Sequence, residues 1–76
     1  MRQFLTDIQF EALLSLYSQR DFPEPTREAV RLRIINGHTY ELAEFITGVS
    51  RRNIYRGVLK LKKAHEVLSQ VYGERR

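Results

Sequence analysis

The chain has 76 residues, no cysteine and a formal net charge of +4. A chain of this length predicts one domain with a thin core, because it buries only about 60% of the surface that its unfolded form exposes. The composition excludes a disulfide framework, a signal peptide and a membrane-spanning helix, so we expect a soluble cytoplasmic protein.

The first predicted helix begins after Thr6. Thr6 and Gln9 have the spacing of a capping box. Apolar residues then recur at helical spacing, which predicts a helix that continues to about Gln19. The sequence DFPEP, residues 21 to 25, contains two prolines and predicts a loop.

Two further helices are predicted from their capping residues. Thr26 is the expected N-cap of the second helix, and Asn36 and Gly37 signal its end. Thr39 is the expected N-cap of a short third helix, which Gly48 ends.

Ser50 is the expected N-cap of a fourth helix of about 22 residues, with no glycine stop before Gly73. No alternating run is long enough to predict a sheet. We therefore predict an all-α, four-helix fold that forms a single domain over residues 1–76, with a long C-terminal helix.

The third and fourth helices have the pattern of a helix-turn-helix, with a core at about residues 39–60. Gly48 takes the position of the turn glycine, Val49 that of the apolar residue behind it, and Ile54 that of the first core residue of the recognition helix. Glycine turns also join helices in small bundles that bind nothing, so a simple helical corner is the alternative.

The basic charge belongs to one end of the chain. Residues 1–49 have a net charge of −2, whereas residues 50–76 have a net charge of +6. This asymmetry favours a polyanionic partner, although a solvated helix face is the alternative. A helix with its basic face outward fits the major groove of duplex DNA, and Arg56 is the best candidate for a bidentate contact to guanine. The predicted DNA-binding residues are Ser50, Arg51, Arg52, Asn53, Tyr55, Arg56, Lys60 and Lys63.

Other functions have less support. No nucleophile-base pair, glycine-rich phosphate loop or metal-ligand set is present, so we expect neither an enzyme nor a cofactor. His38 is expected in a turn, and His65 is expected to pack on the buried face of the fourth helix. A small adaptor whose basic helix binds an acidic protein is the main alternative to DNA binding.

The second half of the fourth helix is more apolar around its circumference than a surface helix should be. This surplus predicts a symmetric homodimer, with packing back onto Phe4, Leu5 and the first helix as the alternative. The predicted dimerisation residues, within about 64–72, are Ala64, Val67, Leu68, Val71 and Tyr72.

The sequence resembles the TrfB/KorA-type transcriptional repressors of plasmids. The resemblance rests on LTDIQF (residues 5–10) and on a gap-free match from Thr26 to GVSRRNIYRGV (residues 48–58). It implies a dimeric bacterial repressor that binds palindromic operators, with Arg51 and Arg56 on DNA. No small-molecule effector is evident from the sequence. A looser resemblance, through NGHTYELAEF, is to the PapB-type regulators of fimbrial operons, which bind DNA as oligomers.

Overall fold

The computed structural model describes the backbone of residues 5–73 and the side chains of residues 5–70. Within that range the chain forms four α-helices and no strand: α1 (Asp7–Leu14), α2 (Glu24–Ile34), α3 (Tyr40–Thr47) and α4 (Arg51–Gly73). The predicted all-α fold and the long fourth helix are therefore confirmed.

The capping box at the start of α1 is formed as predicted. The Thr6 hydroxyl accepts from the Gln9 amide at 3.1 Å, and the Gln9 side chain accepts from the Thr6 amide at 3.0 Å. The predicted end at Gln19 is wrong, because α1 stops at Leu14. The Leu16 and Tyr17 amides bond to carbonyls only three residues back, at 3.1 and 3.0 Å, and this tighter turn redirects the chain.

Arg27 of α2 holds the connection between α1 and α2 together. Its guanidinium donates to the backbone carbonyls of Leu14, at 3.3 Å, and Tyr17, at 2.8 Å, and it also donates to the carbonyl of Phe22. The Tyr17 and Phe22 rings lie 5.5 Å apart, and Phe22 is buried. One cationic side chain thus binds three carbonyls of the segment between the end of α1 and the start of α2.

The predicted N-cap of α2 at Thr26 is also wrong. The N-cap lies three residues earlier, at Pro23, so the helix begins at Glu24 with Pro25 in its first turn. Amides of the first helical turn have no acceptor within the helix, so proline costs little there and its fixed φ suits the helix.

The core lies between α4 and the other three helices. It consists of Leu5, Phe10, Leu13, Leu14, Phe22, Ala29, Val30, Ile34, Ala43, Ile54, Val58 and Leu61.

α4 packs closely against α2 at Gly57. A Cβ atom at that position would lie 2.7 Å from Val30 Cγ2 and 3.3 Å from Phe22 Cζ. The glycine therefore fits a place where no side chain has room.

Candidate nucleic-acid interface

The turn between α3 and α4 is fixed by local hydrogen bonds. Gly48 has a φ of 80°, the left-handed conformation that glycine adopts without strain, and its amide donates to the Glu44 carbonyl at 2.8 Å. The Thr47 hydroxyl donates to the Ala43 carbonyl at 2.7 Å and accepts from the Val49 amide at 3.2 Å. These contacts confirm the predicted helix end and give α4 a defined direction.

Both predicted N-caps of this region are formed. The Thr39 hydroxyl accepts from the Leu42 amide at 3.1 Å, and the Ser50 hydroxyl accepts from the Asn53 amide at 3.3 Å. Ser50 therefore already satisfies one amide of the first turn of α4.

α3 and α4 are held at a fixed angle by small and aromatic residues. Ala43 and Ile54 are completely buried. The Tyr40 and Tyr55 rings meet edge to face with centroids 5.9 Å apart, and the Arg33 guanidinium lies 4.3 Å from the centre of the Tyr40 ring. Tyr55 thus packs on α3 with one side while about half of its surface stays exposed.

The buried side of α4 carries Ile54, Val58 and Leu61. Arg52 and Arg56 are each two positions from Ile54, about 160° around the helix from it. The sequence has no acidic residue between positions 51 and 65. The first four turns of α4 therefore present a basic face to solvent. The predicted DNA-binding residues are all exposed, namely Ser50, Arg51, Arg52, Asn53, Tyr55, Arg56, Lys60 and Lys63.

Arg51 is paired with two acids of α3, a contact that the sequence prediction missed. Its Nε lies 3.1 Å from a Glu44 carboxylate oxygen, and its Nη1 lies 3.5 Å from a Glu41 carboxylate oxygen. The sequence signal is the pair of glutamates three residues apart on a helix that turns back toward Arg51. Arg52 and Arg56 have no acidic partner among the side chains of residues 5–70.

Asn53, Arg56 and Lys60 line one side of a cleft of about 300 Å³. Asp21 and Thr26, from the α1–α2 connection and the first turn of α2, line the other side. The cleft extends the basic face of α4 toward α2, so residues far apart in the chain border the same surface.

Lys60 is held at the edge of this cleft. Its ammonium group lies 5.5 Å from the Tyr17 ring centre and 5.4 Å from the Phe22 ring centre, and it donates to the Asp21 carbonyl at 3.3 Å. These contacts turn Lys60 toward the α1–α2 connection.

A second, mostly apolar groove lies farther along α4. It has a volume of about 390 Å³, and we call it the α4 groove. It is lined chiefly by Leu16, Tyr17, Lys60, Lys63, Val67 and Leu68.

Three of the residues predicted to form a dimer, Ala64, Val67 and Leu68, line this groove. Val67 is 51% exposed and Leu68 is 40% exposed, so helix one does not cover them. Ala64 is half-buried. The side chains of Val71 and Tyr72, and Phe4 of the alternative packing, lie outside the described residues. The homodimer stays a prediction.

The position of His38 agrees with the prediction, whereas His65 is not among the buried core residues. His38 lies between α2 and α3, and its carbonyl accepts from Arg33 at 2.9 Å. His65 is half-buried on α4. In the part of the chain that the structure describes, no three metal-ligating side chains come together, and no helix has the length and apolar character to cross a bilayer.

Comparison with known proteins gives no relative. No family model, curated protein or solved structure matches this chain.

Proposed function

We propose that this protein is a sequence-specific regulator of transcription that binds duplex DNA. In this proposal α3, the Gly48 turn and α4 form a helix-turn-helix, and α4 enters the major groove. Repression through a palindromic operator is the form of regulation that the resemblance to TrfB/KorA-type repressors suggests.

The observation that carries the proposal is the division of α4 into two faces. Ile54, Val58 and Leu61 are buried against the rest of the chain, while Arg52 and Arg56 point away from them without an acidic partner among the described side chains. A solvated face that serves only solubility usually mixes both signs of charge. This face has one sign over four turns.

The turn also supports the proposal. Ala43, Val49 and Ile54 have the spacing of the apolar residues that hold the two helices of such a motif together, and all three are at least half-buried. The buried Gly57 brings α4 close to α2, so the opposite side of α4 faces solvent.

The two arginines have different expected roles. Arg56 borders the cleft in the second turn of α4, where a side chain of a groove-bound helix reaches base edges, so it is the expected bidentate partner of guanine. Arg52, in the first turn, is the expected phosphate contact, since the N-terminal end of a helix favours anions.

Fluorescence anisotropy with labelled duplexes tests the proposal. We expect binding whose affinity falls steeply with salt, because each neutralised phosphate releases condensed counterions. Selection of bound duplexes from a random pool should then yield a defined sequence. Arg52→Gln should weaken binding more than the control Arg20→Gln, which removes the same charge from an exposed position in the α1–α2 connection.

Two outcomes would contradict the proposal. One is affinity for duplex DNA that does not exceed affinity for an acidic peptide of matched charge, which would favour the adaptor function instead. The other is a random-pool selection that returns no preferred sequence, which would leave only non-specific binding.

A further inference from the structure

α3 exposes an apolar surface that none of the described residues covers. Phe45 is 86% exposed, Ile46 is 54% exposed and Leu42 is 44% exposed. We call these three residues the α3 patch. They lie within about 100° of one another around α3, and Phe45 is about 160° around the helix from the buried Ala43, so they form one surface. A phenylalanine exposed to this degree beside two other apolar side chains is typical of a protein contact surface.

The α3 patch has an acidic border. Glu41 lies one helical turn before Phe45, and its side chain is 77% exposed. Glu44, next to Phe45 in the sequence, is the other acid of α3. Both carboxylates contact Arg51, so the two acids and this arginine together leave a net charge of −1 beside the patch. A partner that accepts Phe45 therefore needs an apolar depression with basic groups at its edge.

The α4 groove has these properties. It is concave and mostly apolar, with Leu16 and Val67 among its lining residues and Lys60 and Lys63 at its border. Among the side chains of residues 5–70, no acidic residue lines the groove. Glu66, the acid nearest to Val67 on α4, lies about 100° around the helix from it.

We propose that the α3 patch of one molecule docks in the α4 groove of a second copy of this chain. Phe45 enters the groove between Leu16 and Val67, and Glu41 lies near Lys63. The contact is heterologous, since two different surfaces of the same chain meet, and it can repeat from one molecule to the next.

Charge favours this arrangement over the symmetric α4–α4 dimer that the sequence suggests. In a symmetric dimer the α4 grooves of the two copies would face each other, which would bring Lys60 and Lys63 of both copies together across an apolar contact. Like charges at an interface oppose association. The symmetric dimer would also leave Phe45 uncovered. Docking of the α3 patch covers both apolar surfaces and pairs opposite charges.

Complementation between two variants tests the proposal, with the full chain and analytical ultracentrifugation from micromolar to millimolar concentration. Phe45→Glu removes the patch and keeps the groove, whereas Val67→Glu removes the groove and keeps the patch. We expect the wild type to associate, each variant alone to sediment as a monomer, and an equimolar mixture of the two to form a heterodimer through the one intact contact.

Two further variants keep the result interpretable. Ile8→Glu changes a residue that is 82% exposed and belongs to neither surface, so it should associate like the wild type. Leu16→Glu alters the groove from outside α4 and replaces Val67→Glu if circular dichroism shows that the latter is unfolded. Leu16→Glu should also be complemented by Phe45→Glu.

Three results would overturn the proposal: a wild type that stays monomeric, association of Phe45→Glu equal to that of the wild type, or a mixture that stays monomeric. The second result would indicate the symmetric α4–α4 dimer. None of these measurements involves DNA, so the proposal can fail while DNA binding succeeds, or hold while DNA binding fails.

Discussion

The substitution Gly57→Ala, in the middle of α4, has two opposing effects on the free energy of unfolding: higher helix propensity and a steric clash in the core. Alanine is favoured over glycine inside a helix by about 1 kcal/mol, so the substitution would stabilise the fold at a helical position with free space around it. At Gly57 the new methyl group would lie 2.7 Å from Val30 Cγ2, well inside contact distance, and 3.3 Å from Phe22 Cζ. Val30 and Phe22 are both buried, and Val30 is branched at Cβ, so neither side chain can move away easily.

Overpacking of a core by a methyl group costs about 1–3 kcal/mol. After the gain in helix propensity is subtracted, the expected loss of unfolding free energy is about 1 kcal/mol, taken near the middle of that range. For a domain of this size such a loss lowers the Tm by about 4–8 °C. Thermal unfolding followed by circular dichroism at 222 nm measures it.

A double-mutant cycle with Val30→Ala identifies the cause. Removal of the Val30 methyl groups opens the space that the new Cβ needs, so Gly57→Ala should stabilise the Val30→Ala variant although it destabilises the wild type. Ser69→Ala, at an exposed position of the same helix, shows the effect of propensity alone. A rise in Tm for Gly57→Ala in the wild-type background, or additive effects in the cycle, would refute close packing as the reason for glycine.

Four other substitutions test the interface and the fold. Arg56→Ala should cost about 1–3 kcal/mol of DNA-binding free energy on the preferred sequence and reduce the preference for one base pair. Lys63→Ala should instead weaken binding to all duplexes alike. If competition titrations show that Arg56→Ala also weakens binding to all duplexes alike, Arg56 is a phosphate contact. Glu44→Gln should strengthen duplex binding by about 0.2–1 kcal/mol, because it releases Arg51 from an exposed ion pair. Weaker binding in anisotropy titrations would mean instead that the pair holds Arg51 in position. Arg27→Ala should lower the free energy of unfolding in urea by about 2 kcal/mol, since it removes charged hydrogen bonds to three carbonyls; an unchanged midpoint would show that water replaces the guanidinium.

Helix ends with a local chemical signal could be predicted from the sequence. Thr6, Thr39 and Ser50 cap helices through bonds to amides three residues away, and Gly48 ends α3 through its own backbone conformation. Each of these interactions lies within one turn of helix, so the residues that make it are neighbours in the sequence.

The features that could not be predicted depend on distant residues. α1 stops at Leu14 although the next residues suit a helix, because the chain turns there and Arg27, thirteen positions away, binds the carbonyls. Two prolines suggested a loop, but Pro25 lies where a helix tolerates it. Arg51 was predicted as a DNA contact, and its pairing with Glu44 becomes visible only when α3 and α4 meet.

The hydrogen bonds from Arg27 also determine which parts of the chain unfold together. α1 has eight residues, too few for a stable helix by itself, and its C-terminal carbonyl at Leu14 is bound by a side chain of α2. Arg31 of α2 also forms an ion pair with Glu11 and lies 4.9 Å from the Phe10 ring centre. α1 therefore cannot fray from its end without freeing a guanidinium of α2. In native-state hydrogen exchange the amides of α1 and the first turns of α2 should open as one cooperative unit with a single free energy.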